Sequence, residues 1–288
     1  AGYDYLNMDR SSPVEEVQPT ESTKDNAVYV GIKNSALDWL TAKLRYKHLK
    51  RDSDTLETAE TTFYYMDQTF DEWKLGFDLY PADSLDLGLS FAYKDTDYDQ
   101  AIDTRQSDKR KNVYLDAAWH ANKAMTLSGF IGFEKVDTDA NRTGYTSTNM
   151  TYPAFTQSLN DDFWSYGLGA NIKATDKLAF NFAWMYQKSD GQINFDNAFY
   201  TDVANSDDYT KQTLQAKAIY AIDPKLKMTL GYIYEKLEFK DISTDNYQYT
   251  LETTTGTPPV GSVYYYSGLY ADSNYEANIG YLMLSYGF

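Results

Sequence analysis

The chain contains no cysteine, only two histidines and seven prolines among 288 residues, and fewer basic than acidic side chains. Each shortage closes off a class of function. Without cysteine there is no disulfide, no thiolate metal site and no C-x-x-C-H attachment point, so any haem must be carried by a partner. With 26 basic against 42 acidic residues the net charge is −16, which repels nucleic acid. No run of about 18 apolar residues is present, which excludes a helical membrane protein. The opening AGYDYLNMDR lacks the basic and apolar regions of a signal peptide, as expected of a processed or a partial chain.

What is abundant is aromatic: 16% of the chain, with 28 tyrosines. Segments of about ten residues alternate apolar and polar from end to end and are separated by turn chemistry, which is the pattern of a transmembrane barrel strand. The alternation predicts twelve strands, at 1–9, 27–33, 37–49, 71–80, 85–96, 111–121, 125–136, 162–173, 177–188, 209–221, 226–240 and 275–288. Trp73, Leu75, Phe77 and Leu79 share one face against Lys74, Gly76, Asp78 and Tyr80. Leu87, Leu89, Phe91 and Tyr93 repeat the pattern, as do Leu178, Phe180, Phe182, Trp184 and Tyr186, and Met228, Leu230, Tyr232 and Tyr234.

A soluble β-sandwich also alternates, but its crossovers do not sort loops by length. Here short turns (Asn34-Ser35-Ala36, 81–84, 122–124, 174–176 and 223–225) alternate with long segments near 10–26, 50–70, 97–110, 137–161, 189–208 and 241–274. That arrangement predicts an all-β, antiparallel, up-and-down transmembrane β-barrel, with about twelve strands in this chain. The short turns would lie at the periplasmic rim and the acidic loops outside. Residues 1–288 read as a single barrel domain, or as the C-terminal portion of a larger one. The last strand ends in Leu282, Leu284, Tyr286 and Phe288, similar to the terminal aromatic signal by which such barrels are recognised for insertion. Trp73, Trp119, Trp164 and Trp184 fall on outward faces, where aromatic girdles meet the headgroups. Trp39 falls in register with Thr41, Lys43 and Arg45, which predicts an inward position near the periplasmic rim.

The inward set is mixed in sign: Lys43, Arg45, Lys47, Lys74, Asp78, Asp86, Lys94, Asp116, His120, Glu134, Lys173, Lys217 and Glu235. These residues serve either as a wall that binds water and internal ion pairs, or as a surface that selects a solute or contacts an inserted protein. Asp95, Asp97 and Asp99 are candidates for Ca²⁺, since alternate carboxylates can chelate, but no D-x-D-x-D-G…E loop is completed. Enzyme chemistry is not expected. His48 and His120 belong to no Ser/His/Asp or H-E-x-x-H pattern, and neither begins the His-x-Ser spacing of a twelve-stranded outer-membrane phospholipase family.

Several phrases carry a resemblance. Gly2-Tyr3-Asp4-Tyr5 with Asp9-Arg10, the acidic loop with Glu15-Glu16, Leu44-Arg45-Tyr46 and then Lys50-Arg51-Asp52-Ser53 resemble the strand-and-loop phrases of the MtrB/PioB family of decahaem-associated outer-membrane barrels. Short turns such as NSALDWL and PADSLDLGL extend the likeness along the chain. The family's members are longer, with more than twenty strands, and the chain resembles their C-terminal half. The resemblance implies a bacterial outer-membrane sheath without a redox centre of its own. A periplasmic multihaem c-type cytochrome would thread into it and pass electrons to a surface cytochrome or mineral, with outer-membrane lipid and lipopolysaccharide around it. A closed barrel of twelve strands is too narrow for such an occupant, because lumen width grows with strand number. If the twelve strands close on themselves, a channel for small solutes or ions is the expectation instead.

Overall fold

The computed structural model describes residues 1–9, 20–55, 67–99, 105–146, 151–197, 202–240, 248–251, 263–266 and 274–287. Its strands are β1 (Gly2–Asp9), β2 (Thr20–Leu37), β3 (Leu40–Thr55), β4 (Gln68–Ala82), β5 (Leu85–Tyr98), β6 (Arg105–Asn122), β7 (Met125–Arg142), β8 (Tyr145–Thr146), β9 (Thr151–Tyr152) and β10 (Phe155–Lys173). They continue with β11 (Leu178–Phe195), β12 (Asp208–Ala221), β13 (Leu226–Lys240), β14 (Gln248–Leu251), β15 (Val263–Tyr266) and β16 (Tyr275–Tyr286). Twelve form one antiparallel sheet in chain order, from β1 at one end to β16 at the other. The remaining four make two small hairpins, β8 with β9 and β14 with β15, within the long connections.

The short turns close on side chains that satisfy their own backbone. Asp223 Oδ1 accepts from the amides of Lys225 (2.8 Å) and Leu226 (2.9 Å), with Pro224 between them fixing φ. Thr175 Oγ1 accepts from Lys177 N and Leu178 N, and Asn122 Oδ1 accepts from Ala124 N. At the β2–β3 turn the sequence expectation needs correction. Asn34 does bond Ala36 N at 2.8 Å, but this makes an irregularity within β2, and the chain reverses at Asp38–Trp39 between the paired Leu37 and Leu40. Trp39 therefore stands at the rim, half exposed, and not on the inward face; its carbonyl accepts from Tyr80 N.

The strands are also longer than expected at their outer ends. β6, β7 and β11 have 18 residues and β10 has 19, whereas a tilted strand crosses the hydrocarbon with about 9–11. The surplus continues the ladder above the membrane. There the outward face is polar and the inner face mixed, so no clear alternation of hydropathy marks it in the sequence.

The described residues form no conventional core. Among the described residues the buried apolar side chains are Ala27, Leu49, Val136 and Ala140, while Leu168 (65% exposed), Leu230 (60%) and Leu282 (64%) are open on the opposite face. An apolar belt of this kind is stable when lipid covers it. Above it lie ring pairs that form a girdle: Tyr46 with Trp73 at 4.5 Å and Phe133 with Trp164 at 4.6 Å between centroids.

Candidate functional site

Because side chains alternate strictly across a ladder, the register decides which residues share the inward face. The pairings place Lys43, Arg45, Lys47, Lys74, Asp78, Asp86, Lys94, Asp116, His120, Glu134, Lys173, Lys217 and Glu235 on one face, opposite Trp73, Trp119, Trp164 and Trp184. Lys43 is ion-paired to Asp78, and Lys74 to Glu72 at 2.9 Å. Lys47 is 3.9 Å from Asp4. His120 bonds Asp86 (3.0 Å) and Thr126 (3.2 Å) near the turn rim. Glu235 accepts from Tyr275 and Thr213 and lies 3.1 Å from Lys211. Lys173 is held by Asp176 at 2.8 Å, a hydrogen bond that keeps the Asp176 carboxyl below its usual range at the turn. Glu134 is 3.5 Å from Asn112, and Lys217 stands between Asn181 and Gly231.

Sequence reasoning left out Lys33, Glu72, Arg110 and Lys211 from this face. Each obeys the same alternation along its strand; Arg110 was hidden because 97–110 reads as a loop. His48 points outward instead, bonded to Asp71 at 2.9 Å.

The inward wall is flattened by glycines standing opposite large side chains. A Cβ on Gly167 would collide with the Phe130 ring, one on Gly231 with the Tyr281 ring, and one on Gly2 with the Tyr29 ring. Each ring therefore lies along the wall, over the glycine of the neighbouring strand, and does not project inward. On β6, β7, β10, β11 and β12 this leaves a shallow depression of about 700 Å³, lined by Tyr114, Asp116, Phe130, Gly167, Gly169 and Met185 among others.

Toward the outer rim the same face becomes packed and hydrogen-bonded. Asp108, 3% exposed, accepts from Tyr98 (2.7 Å), Thr138 (2.6 Å) and Arg105 (3.0 Å). Burial, and donation to Asp108, push the Tyr98 phenol well above its ordinary value. Arg51 grips Asp25 through Nε (2.6 Å) and Nη2 (2.7 Å), a bidentate pair. Asp161 lies opposite Val136 and Gly191, and burial, then the nearby Asp207, raise its pKa to about 6.

The candidacy of Asp95, Asp97 and Asp99 for Ca²⁺ gains no support from the geometry. Among the described residues no group of three or more His, Cys, Asp or Glu is placed to hold a metal ion. Asp95 and Asp97 follow the outward face and Asp99 the turn beyond it; alternate residues on a strand stand about 7 Å apart, and the extended backbone cannot wrap them around one cation. Asp95 instead accepts from Tyr93 at 2.9 Å.

No curated protein matches the sequence. Among solved structures, the sheet is similar to the copper transporter OprC, with a TM-score of 0.60 and 10% identity over 91% of this chain. It is similar as well to the ferric citrate transporter FecA, with a TM-score of 0.50 and 8% identity over 78% of this chain. At these identities the likeness is one of fold. The chain spans 41% of the first structure and 37% of the second, so its sheet follows part of the wall of much longer outer-membrane proteins. The sequence pattern of one family, described as "Putative outer membrane beta-barrel porin, MtrB/PioB", runs from residue 1 to residue 288. Twelve meandering strands, a lipid-facing belt and a polar inner wall thus have a family to match them: the chain belongs to the MtrB/PioB outer-membrane β-barrels.

Proposed function

We propose that these strands form part of the wall of an outer-membrane sheath that holds a multihaem c-type cytochrome in a trans-membrane electron conduit. The observation that carries the reading is the flatness of the inner wall, where Phe130, Tyr281 and Tyr29 lie over Gly167, Gly231 and Gly2. A pore built to select a small solute narrows itself with side chains; a wall that lays its rings down leaves room for a large body. The fit of the sheet to an arc of longer barrels supports the same reading, since a wider barrel encloses a wider lumen. The chain has no cysteine to attach haem, so the redox groups would belong to the occupant, and the barrel would exclude lipid and hold it.

The test is the native protein extracted in mild detergent. Stoichiometric c-type haem travelling with the barrel, read by its Soret absorbance, is the expected result. A haem-free protein that conducts ions in a planar bilayer overturns it. A second reading, a channel for small solutes, is favoured by the 700 Å³ depression beside Tyr114 and Phe130, a volume on the scale of small-molecule sites.

A further inference from the structure

The inner wall of β2–β6 carries an arrangement that folding alone does not explain. In the ladder Lys33 stands directly opposite Lys43, Arg45 opposite Lys74, and Lys94 opposite Arg110. Like charges directly across a pair of strands destabilise a sheet. No two carboxylates are directly opposed on the inner face among the described residues, so the repetition is of one sign. The outer face also has opposed like pairs, but of both signs and relieved by third groups. Lys111 and Lys135 share Asp137 at 3.5 and 3.6 Å, and Asp71, opposite Asp95, is bonded by Tyr46 and His48.

The inner cations are only partly relieved. Lys43 and Lys74 have carboxylate partners, and Lys94 stands opposite Glu72, which Lys74 already engages. Arg45 lies over the Tyr29 ring at 5.1 Å and Lys94 over the Phe70 ring at 4.0 Å, contacts that orient a cation without neutralising it. Lys33 and Arg110 have no ion pair among the described residues, and both are exposed. The register arranges the six in three successive rows: Lys33 and Lys43, then Arg45 and Lys74, then Lys94 and Arg110. Rows of one face are about 7 Å apart and strands about 4.8 Å apart, so the ramp climbs about 14 Å while crossing about 19 Å of wall. Beside the cations of the first two rows stand only Gly31, Gly76, Ser90 and Ala92, whose side chains are too short to hold a partner away, while Lys47 and Glu72 complete the third row.

We propose that this ramp is the docking surface for a carboxylate-rich face of the protein held in the barrel. The inference rests on the sheath reading and deepens it by assigning the charge and orientation of the occupant. A single small anion cannot span three rows, whereas a folded protein presenting an acidic face can meet all of them at once. Such complementarity sets register and orientation more than raw affinity.

The experiment compares the native full-length complex with two variants, Lys33→Gln/Arg45→Gln/Arg110→Gln and Lys33→Arg/Arg45→Lys/Arg110→Lys. The readout is Soret absorbance per barrel as NaCl is raised, together with the unfolding temperature of the barrel freed of its occupant by high salt. The glutamine variant is expected to bind the haem protein roughly tenfold more weakly or worse, to lose the salt dependence, and to unfold at a higher temperature because the opposed charges are gone. The charge-conserving variant should retain binding. A purely structural role for these cations would lower the unfolding temperature of the glutamine variant and leave haem retention unchanged, and that result overturns the inference while the sheath stands. If the unaltered protein carries no haem protein at any salt concentration, the sheath reading itself fails and the docking inference falls with it.

Discussion

Each long strand has two parts that solve opposite problems. Within the membrane, β10 turns Trp164, Tyr166 and Leu168 outward and leaves Gly167 and Gly169 on the lumen wall, so its apolar surface is covered by lipid and its inner face is bare. Above the membrane no lipid is available, and Asp25, Ala27, Leu49, Asp108, Val136 and Thr138 are buried on the inner face of the outer extensions. The lesson is that the lower part borrows its core from the bilayer, while the upper part must build one of its own from a few apolar side chains and polar groups that satisfy one another.

That contrast can be broken at chosen points. The largest effect is expected for Leu230→Arg, which puts a charge at mid-strand on the lipid side; it should destabilise the barrel by about 2–4 kcal/mol, measured by reversible unfolding in vesicles. The same change at Asn160, outward but above the membrane, should shift stability by no more than about 0.5 kcal/mol. An equal response at both positions would mean that the two parts do not differ in their surroundings.

A smaller and more local effect is expected for Asp108→Ala. It leaves the donors of Tyr98, Thr138 and Arg105 without their shared acceptor, at about 1–3 kcal/mol for a buried group so orphaned. Hydrogen exchange should speed up in the outer ends of β6 and β7 and stay unchanged below the girdle. Acceleration along the full strands would show that the extensions and the membrane part unfold together.

The smallest effect sharpens the comparison through pH. Asp161 has its pKa raised to about 6 from 3.8, so the folded protein binds this proton more readily than the unfolded chain does. Stability therefore falls as pH rises from about 4 to about 6, and is not recovered above it. The segment next to Asp161, where Ser206 N donates to Gly191 O and Gly191 N to Asp208, should exchange its amides faster at pH 7 than at pH 4 after correction for intrinsic rates. Asp161→Asn should abolish the difference.

The membrane part was legible because its signal is local. Leu87, Leu89, Phe91 and Tyr93 announce a strand and its lipid face with no knowledge of any neighbour, and the inward face follows by alternation, including Lys43, Asp116 and Glu235. The extensions were not legible: Arg105–Arg110 and Asp137–Arg142 are polar on both sides, so the strands there are specified by pairing with each other and not by hydropathy. The Asp38–Trp39 turn was hidden for a related reason. Asn34 and Ser35 carry turn chemistry, yet Asn34 spends its side chain on Ala36 N within the strand.

By itself, the sequence determined the class of the fold, the meander, the membrane-spanning portion of the strands and the mixed sign of its inward face, because a period of two is written into consecutive residues. Only the tertiary structure decided which cation faces which cation and which ring covers which glycine. Those depend on register between residues 10 to 50 positions apart, and a slip of one residue would exchange the two faces without altering a single local pattern.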